Sequence, residues 1–392
     1  MIPSKSLETI DDVMCQTITT IDRLRQLEHE WNSLWTKVNG AFFQTYSFCF
    51  HSWNEIAKHA NRSLICIVIR KKGQLVLVWP LMRYRRALWS IAEPLGPRAT
   101  EYTAPLVEDS DFSLSYVRLA WQFLVKTIKS DIISLPFIKT ESPLYKILSE
   151  GAVTGIHSDA APFVKWQGEN DWKEYYRTLS SSYRKVQNKK RRQLSNSGDV
   201  IFDVVQDSSQ AASLISWLMQ EKRKWAKRVN KKGKWVFCEN YKNFLIKLAS
   251  DKGCAQTIVI YLLKFDGRII AAQLASLGSS HVDWMIAAFD DDYSRASPGI
   301  LLNEHCLHWA FDRKLDCDFG PGTEENKMFW SKGNFAKTAT CQVVITRWGK
   351  VAFAAWKVQQ SWLNRAIGGV SAYKPRPPFE GRMPVAERER DR

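Results

Sequence analysis

Two separated stretches of the chain carry one arrangement of apolar and polar positions. In "SLICIVIRKKGQLVLVWPLM", residues 63–82, two β-branched-rich runs flank Lys72-Gly73, and in "QTIVIYLLKFDGRIIAAQLASL", residues 256–277, two more flank Asp266-Gly267. Runs of this kind around an X-Gly pair predict β-hairpins. With Gly73 set against Gly267, the likeness continues downstream. "SYVRLAWQFLVKTIKSDIISLPF" (115–137) and "GILLNEHCLHWAFDRKLDCDFGP" (299–321) each place an aromatic-bearing helical pattern ahead of a short strand. The chain therefore reads as two copies of one α/β unit, split near residues 155–175.

Helical spacing also fits "ITTIDRLRQLEHEWNSLW" (18–35), with Ile21, Leu24, Leu27, Trp31 and Leu34 on one face, and a second helix is expected in "FFQTYSFCFHSWNEIAKHA" (42–60). In "LSSSYRKVQNKKRRQL" (179–194), Leu179, Tyr183, Val186 and Leu194 fall on one helical face and Arg184, Lys185, Lys189, Arg191 and Arg192 around it. This basic helix fits a solvated face, an electrostatic collar for an anionic ligand, or a membrane-surface helix. Residues 368–392 are rich in Pro, Gly and charge and are expected to form a disordered tail.

The stretch "YSRASPGILLNEHCLHWAF" (293–311) begins a helix, and its start has two readings. In one, Ser297 is an N-cap accepting from a first-turn N–H, and Pro298 has no N–H to leave unpaired. In the other, Gly299 bars no approaching anion, its N–H and that of Ile300 point outward with the helix dipole, and Arg295 closes over the ligand. The first half has "LGPRATEYTAPLVED" (95–109) at the matching place, without a Ser-Pro-Gly start. A device present in one copy only favours a function for it there.

Composition narrows the classes. With 45% hydrophobic and 24% charged residues the 392-residue chain is globular, and its apolar runs, such as "LICIVI", are too short to span a bilayer. "MIPSKSLETIDDVM" does not read as a secretion signal, and the eight cysteines form no C-x-x-C pair, so a cytoplasmic protein with reduced, buried thiols is expected. The net charge of +16 favours an anionic partner: nucleic acid, phospholipid or a phosphorylated ligand. Most of the 17 tryptophans are expected in the core.

The Walker A, dinucleotide, zinc-protease and G-x-S-x-G signatures are absent from the sequence. Glu304, His305, Cys306 and His308 fit packed helix positions better than a metal site, and no metal is expected. "DCDFGPGTEENKMFWSKG" (316–333) carries a short strand into a Gly-Pro-Gly turn and a polar loop with Glu324, Glu325 and Lys327. It is either turn-making or, as loops after strand ends in α/β folds often are, a ligand contact.

In order along the chain, "SSSYRKVQNKKRR", "IYLLKFDGRIIAAQLA", "HVDWMIAAFD", "YSRASPGILL" and "DCDFGPGTEENK" resemble the acetyltransferases of the cellulose-biosynthesis type, a branch of the Gcn5-related acyltransferase superfamily. The likeness covers residues 170 to about 350, and residues 18–165 are similar to the N-terminal half of such proteins and of the Fem aminoacyltransferases. It implies an α/β fold of two tandem acyl-CoA N-acyltransferase-like units, residues 15–165 and 170–350, each a mixed, mainly antiparallel sheet flanked by helices.

The resemblance also implies acetyl-CoA or another acyl-CoA as co-substrate, with its diphosphate at Arg295, Ala296, Ser297, Pro298, Gly299 and Ile300. The R-x-x-x-G spacing departs from the superfamily's Arg/Gln-x-x-Gly-x-Gly/Ala motif. An amine or hydroxyl would attack the thioester carbonyl, with Asp283, His281 and Glu324 as candidate bases and Tyr293 as candidate donor to the thiolate. Asp318, Lys327, Arg184 and Lys185 are candidate contacts to a sugar or lipid acceptor from envelope or extracellular polysaccharide synthesis. Peripheral membrane contact fits such an acceptor. The alternatives are a Fem-like enzyme using aminoacyl-tRNA, the case in which nucleic acid is a partner, and a non-catalytic binder of nucleic acid or anionic membrane.

Overall fold

The computed structural model describes residues 12–86, 88–97, 102–151, 153–166, 171–230, 233–251, 258–278 and 280–355. The expected tail at 368–392 lies outside them. The described chain divides into two units: the first runs to Asp159 and resumes at Lys337, and the second is Ala160–Ala336.

The first unit holds β1 (Val13–Ile18), α1 (Ile21–Gln26), α2 (Glu28–Val38), α3 (Tyr46–His51), β2 (Ser63–Lys71), β3 (Gln74–Arg86), β4 (Trp89–Pro94), β5 (Leu106–Val107), α4 (Ser113–Thr127), β6 (Ile132–Lys139) and α5 (Pro143–Ser149). The single helix expected over 18–35 breaks at Leu27, and the residues before it form β1, which pairs antiparallel with β2. β2 and β3 make the expected hairpin, with Lys72 at φ 49° and Gly73 at φ 82°. Two left-handed residues in a row give a turn whose twist matches the strands. β4 then pairs antiparallel with β3 and parallel with β6. Ile65, Ile67, Ile69, Leu77, Trp79, Leu124, Ile133 and Leu135 form its core.

In the second unit β7 (Gly155–Val164) contributes its last residues, followed by α6 (Trp172–Thr178), α7 (Ser181–Ser197), β8 (Val200–Val205), α8 (Ala211–Arg228), α9 (Glu239–Ser250), β9 (Ile258–Phe265), β10 (Arg268–Leu277), β11 (His281–Phe289), α10 (Pro298–Asp312), β12 (Asp316–Asp318) and α11 (Glu325–Trp330). The β9–β10 hairpin turns through Asp266 (φ 47°) and Gly267 (φ 77°), as the first unit's does, and β11 pairs antiparallel with β10 and parallel with β12. The sequence repeat is thus a repeat of topology: hairpin, third strand, helix, parallel fourth strand. Val259, Tyr261 and Leu263 join the core with Leu302, Cys306 and Leu307 of α10. The alternating Ile258, Ile260 and Leu262 are buried too, so both faces of this sheet are covered. Residues 337–344 of β13 (Phe335–Val344), which the sequence repeat groups with the second half, pair with β6 in the first unit.

Asp131 ties three strands of the first unit together. Its carboxylate accepts from the Ser90 N–H (2.8 Å), the Ser90 hydroxyl (2.9 Å) and the Thr346 hydroxyl, while its carbonyl accepts from the Ile345 N–H (2.9 Å). Burial pushes its pKa up, but the hydrogen bonds from Ser90 and Thr346 outweigh this and hold it below the usual carboxylate value. A carboxyl depressed in the folded state stabilises above its unfolded pKa, and the contribution is lost as pH falls through the folded value. Asp131→Ala is expected to cost about 1.5–3 kcal/mol at pH 7, the range for hydrogen bonds to a charged group, and to remove part of the stability loss below about pH 4. Urea unfolding at pH 7 and pH 3.5 checks both. Equal stability of the two proteins at pH 7 would contradict the assignment.

Candidate functional site

β11 is paired with β10 from Val282 opposite Leu277 to Phe289 opposite Ala271. The register slips once: Trp284 faces Ala275 and Ile286 faces Leu274, so Met285 is an extra, bulged residue. On its other side β11 has far less company. β12 pairs with His281, Val282 and Asp283 only. Beyond Asp318 the chain stays with β7, the Phe319 N–H donating to the Pro162 carbonyl (3.0 Å) and the Gly322 N–H to that of Ala160 (2.9 Å). Trp284 and Phe319 meet edge to face at 4.5 Å where the strands part.

From Trp284 to Phe289, about 17 Å of strand, the outer backbone edge has no strand beside it among the described residues. Lys222 of α8 reaches it, donating to the Ala287 carbonyl (3.0 Å). Backbone groups in such a position need a partner from outside the sheet.

The open edge leads into the Ser-Pro-Gly step. Asp290 caps a short 3₁₀ turn, Asp291–Ala296, by accepting from the Asp292 N–H (3.1 Å). Ser297 follows at φ 53°. The expected side-chain cap does not form. In this left-handed geometry the Ser297 carbonyl turns inward and accepts from the N–H groups of Ile300 (3.0 Å) and Leu301 (3.2 Å). The Ile300 amide, expected to point outward, is therefore spent inside the turn. With Pro298 lacking an N–H, Gly299 keeps the first-turn amide that donates to no backbone carbonyl among the described residues.

The Ser297 hydroxyl instead accepts from Lys190 of α7. Arg295 is exposed, Ala296, Ser297, Gly299 and Ile300 are half-buried, and Pro298 is buried, so the step is open to solvent. Asp290 and Asp291 bring charge of the wrong sign for an anion, but Arg268 pairs with Asp290 (3.0 Å) and Arg228 with Asp291.

The remaining sequence candidates fall into two groups. At the start of β11, His281 Nε2 lies 3.4 Å from the Asp283 carboxylate, and Ser276 donates to the same oxygen (3.3 Å). Asp316 and Asp318 of β12 stand opposite His281 and Asp283. The Asp318 carboxylate accepts from the Gly320 N–H (2.8 Å), and Lys327 donates to the Pro321 carbonyl (3.0 Å) and pairs with Glu324 (3.1 Å), so these loop residues brace the turn. Tyr293 lies at the opposite end of β11, beside Phe265 and Arg268, about 20 Å of strand from Asp283. On α7, Arg184 is half-buried and donates to the Leu179 carbonyl (3.1 Å), whereas Lys185 is exposed. The expected apolar face of that helix is revised: Val186 is 49% exposed and Gln187 takes the inner position at 4%.

A charge run carries no sign of which cations turn inward, and Lys190 and Arg191 do, the latter pairing with Glu304 of α10. Nor does the sequence show the Met285 bulge or Lys222, which depend on partners far along the chain. The helix histidines face separate rings, His305 stacking on Phe202 (4.9 Å) and His308 on Trp172 (4.7 Å). No group of three metal-ligating side chains occurs among the described residues, and no described helix is long and apolar enough to cross a membrane.

Residues 181–328, from the start of α7 into α11, match the family described as Acetyltransferase (GNAT) domain. No curated protein matches the chain. Among solved structures, FemX aligns over 83% of this chain and 96% of its own at 10% identity with a TM-score of 0.53, a likeness of fold across both units. The C-terminal domain of a putative lysylphosphatidylglycerol synthetase from Agrobacterium fabrum aligns at 12% identity over 87% of this chain and 96% of its own (TM-score 0.49). A tandem GNAT protein from the clavulanic acid biosynthesis pathway aligns at 7% identity over 85% and 99% (TM-score 0.42).

Burial lowers the pKa of His305 to about 4, with Arg191 and His308 adding to the effect. Its unfolded value is about 6.5, so between these limits the unfolded chain binds more protons. Stability is then complete above about pH 6.5 and falls as pH drops towards 4. His305→Gln is expected to flatten that slope, read as the difference in urea midpoint between pH 7 and pH 4.5. An unchanged slope would contradict the burial account.

Proposed function

We propose that the protein is an acyl-CoA-dependent acyltransferase, with acetyl-CoA the first donor to test, and that its second unit carries the site. The supporting observation is the open edge of β11, Trp284–Phe289, running into a solvent-open helix start. An extended pantetheine arm can add to a strand edge through its amides as a peptide strand does. The match of residues 181–328 to the GNAT domain supports the same reading.

In this reading the Gly299 N–H and Arg295 hold the diphosphate, and Ala296, Ser297, Pro298 and Ile300 shape the turn around it. Acyl-CoA supplies an acyl group already activated as a thioester. Asp283, beside His281, is the proposed base that takes the proton of the attacking amine or hydroxyl, and Glu324 is the second candidate. Tyr293, at the diphosphate end, is left out of proton transfer. Asp318, Lys327, Arg184 and Lys185 are the proposed contacts to a sugar or lipid acceptor from envelope or extracellular polysaccharide synthesis, met in the cytoplasm with peripheral membrane contact. A Fem-like transfer from aminoacyl-tRNA is the second reading, favoured by the +16 charge and by the likeness of fold to FemX.

Acetyl-CoA at a hundredfold excess over its Kd is expected to stabilise the folded protein by about 2.7 kcal/mol, seen as a rise in Tm, and Arg295→Ala is expected to lose most of the rise. Gly299→Val is expected to lose it as well, since a Cβ there already meets the Phe289 ring at 3.3 Å. A rise with aminoacyl-tRNA and none with acetyl-CoA would overturn the first reading in favour of the second.

A further inference from the structure

Little in the apolar pattern of α7 fixes its rotation against the domain. Its buried side chains are Gln187 (4% exposed) and Leu194 (7%), helped by the Tyr183 ring against Phe329 at 4.5 Å, while Val186 stays outside. Two adjacent cations on the inner side make up the difference, and both reach α10. Lys190 donates to Ser297 at its start, and Arg191 pairs with Glu304 two turns on, about 10 Å further along the axis.

The seam has a visible cost. Glu304 is 7% exposed, and its Oε2 has no hydrogen-bond partner among the described residues. The Gln187 Oε1 and the Tyr183 hydroxyl are in the same position. A buried carboxylate with an orphaned oxygen, paired to a half-exposed guanidinium, is a weak source of stability, and the best-attested use of such pairs is to fix one register out of several. Here the register it fixes is the one that puts an ammonium beside the step between β11 and α10.

We propose that the Arg191–Glu304 pair is a positioning device that holds α7 so that Lys190 supplies a cation to the phosphates of the donor. This rests on the acyl-CoA reading and deepens it. The R-x-x-x-G loop leaves the Gly299 amide with no backbone acceptor among the described residues, and a charge delivered from a neighbouring helix adds to what this loop offers an anion. Lys190 contacts ligand in this scheme, and Arg191 and Glu304 act through it.

The test is the Kd, by calorimetry on the full chain, of acetyl-CoA and of S-acetylpantetheine, which has the thioester and no phosphate. Lys190→Met is expected to weaken acetyl-CoA about tenfold and to leave S-acetylpantetheine unchanged, with Lys190→Arg recovering most of the loss. Glu304→Gln and Arg191→Met are expected to show the same selective loss, and Lys190→Met/Glu304→Gln to be no worse than Lys190→Met alone. Arg191→Met changes a half-exposed side chain and serves if Glu304→Gln does not fold. A merely structural role would weaken both ligands together.

Acetyl-CoA binding by Lys190→Met at the wild-type Kd would overturn this proposal and leave the acyl-CoA reading standing. So would a loss in Lys190→Met with none in either pair variant. Failure of the wild-type protein to bind acetyl-CoA would overturn both.

Discussion

Every backbone N–H and C=O in a sheet needs a partner, and among the described residues β11 loses its strand partner on one side after Asp283. β12 is three residues long, its continuation follows β7, and Trp284 and Phe319 fill the angle where the strands separate. The Met285 bulge adds local twist at the same level. α10 begins near where the open edge ends, so a strand edge with no neighbouring strand among the described residues and the positive end of a helix dipole belong to one surface. On the other side of β11 the sheet is covered, since β9 and β10 are buried on both faces.

The electrostatics of the step are a balance of near-equal terms. A helix N-terminus offers about half an elementary charge, while Asp290, Asp291 and Asp292 stand at the start of the turn that leads into it. Arg268 pairs with the buried Asp290 and reaches Asp292 (3.9 Å), and Arg228 pairs with Asp291. Their effect is to remove repulsion more than to add attraction. Net attraction for an anion then comes from Arg295, which is exposed, and Lys190, which α7 turns inward. The basic helix is in this respect part of the domain's interior, even though most of its cations face water.

What the sequence makes legible is what local chemistry decides. Lys72-Gly73 and Asp266-Gly267 announce their hairpins because two consecutive left-handed residues are needed there, and the start of α10 is visible in Pro298. Long-range pairing is not legible in this way. β1 has no local signal separating it from the helix that follows, and β13 joins β6 although it lies next to the second unit in sequence. Within the site, Ser297 misleads because its residue type suits a side-chain cap, whereas its φ of 53° makes the carbonyl the capping group. Gln187 displaces Val186 from the inner face because the rotation of α7 answers to Glu304 and Ser297, which lie more than a hundred residues further along.

Hydrogen exchange of the backbone amides, with and without acetyl-CoA, tests the role of the open edge most directly. Amides on an unpaired edge exchange readily in the free protein and slow when a ligand takes their hydrogen bonds. Slowing concentrated in Trp284–Phe289 and at Gly299, with β8 and β9 unchanged, is the result the account predicts. Slowing confined to other strands, or none in β11 at saturating ligand, would contradict it.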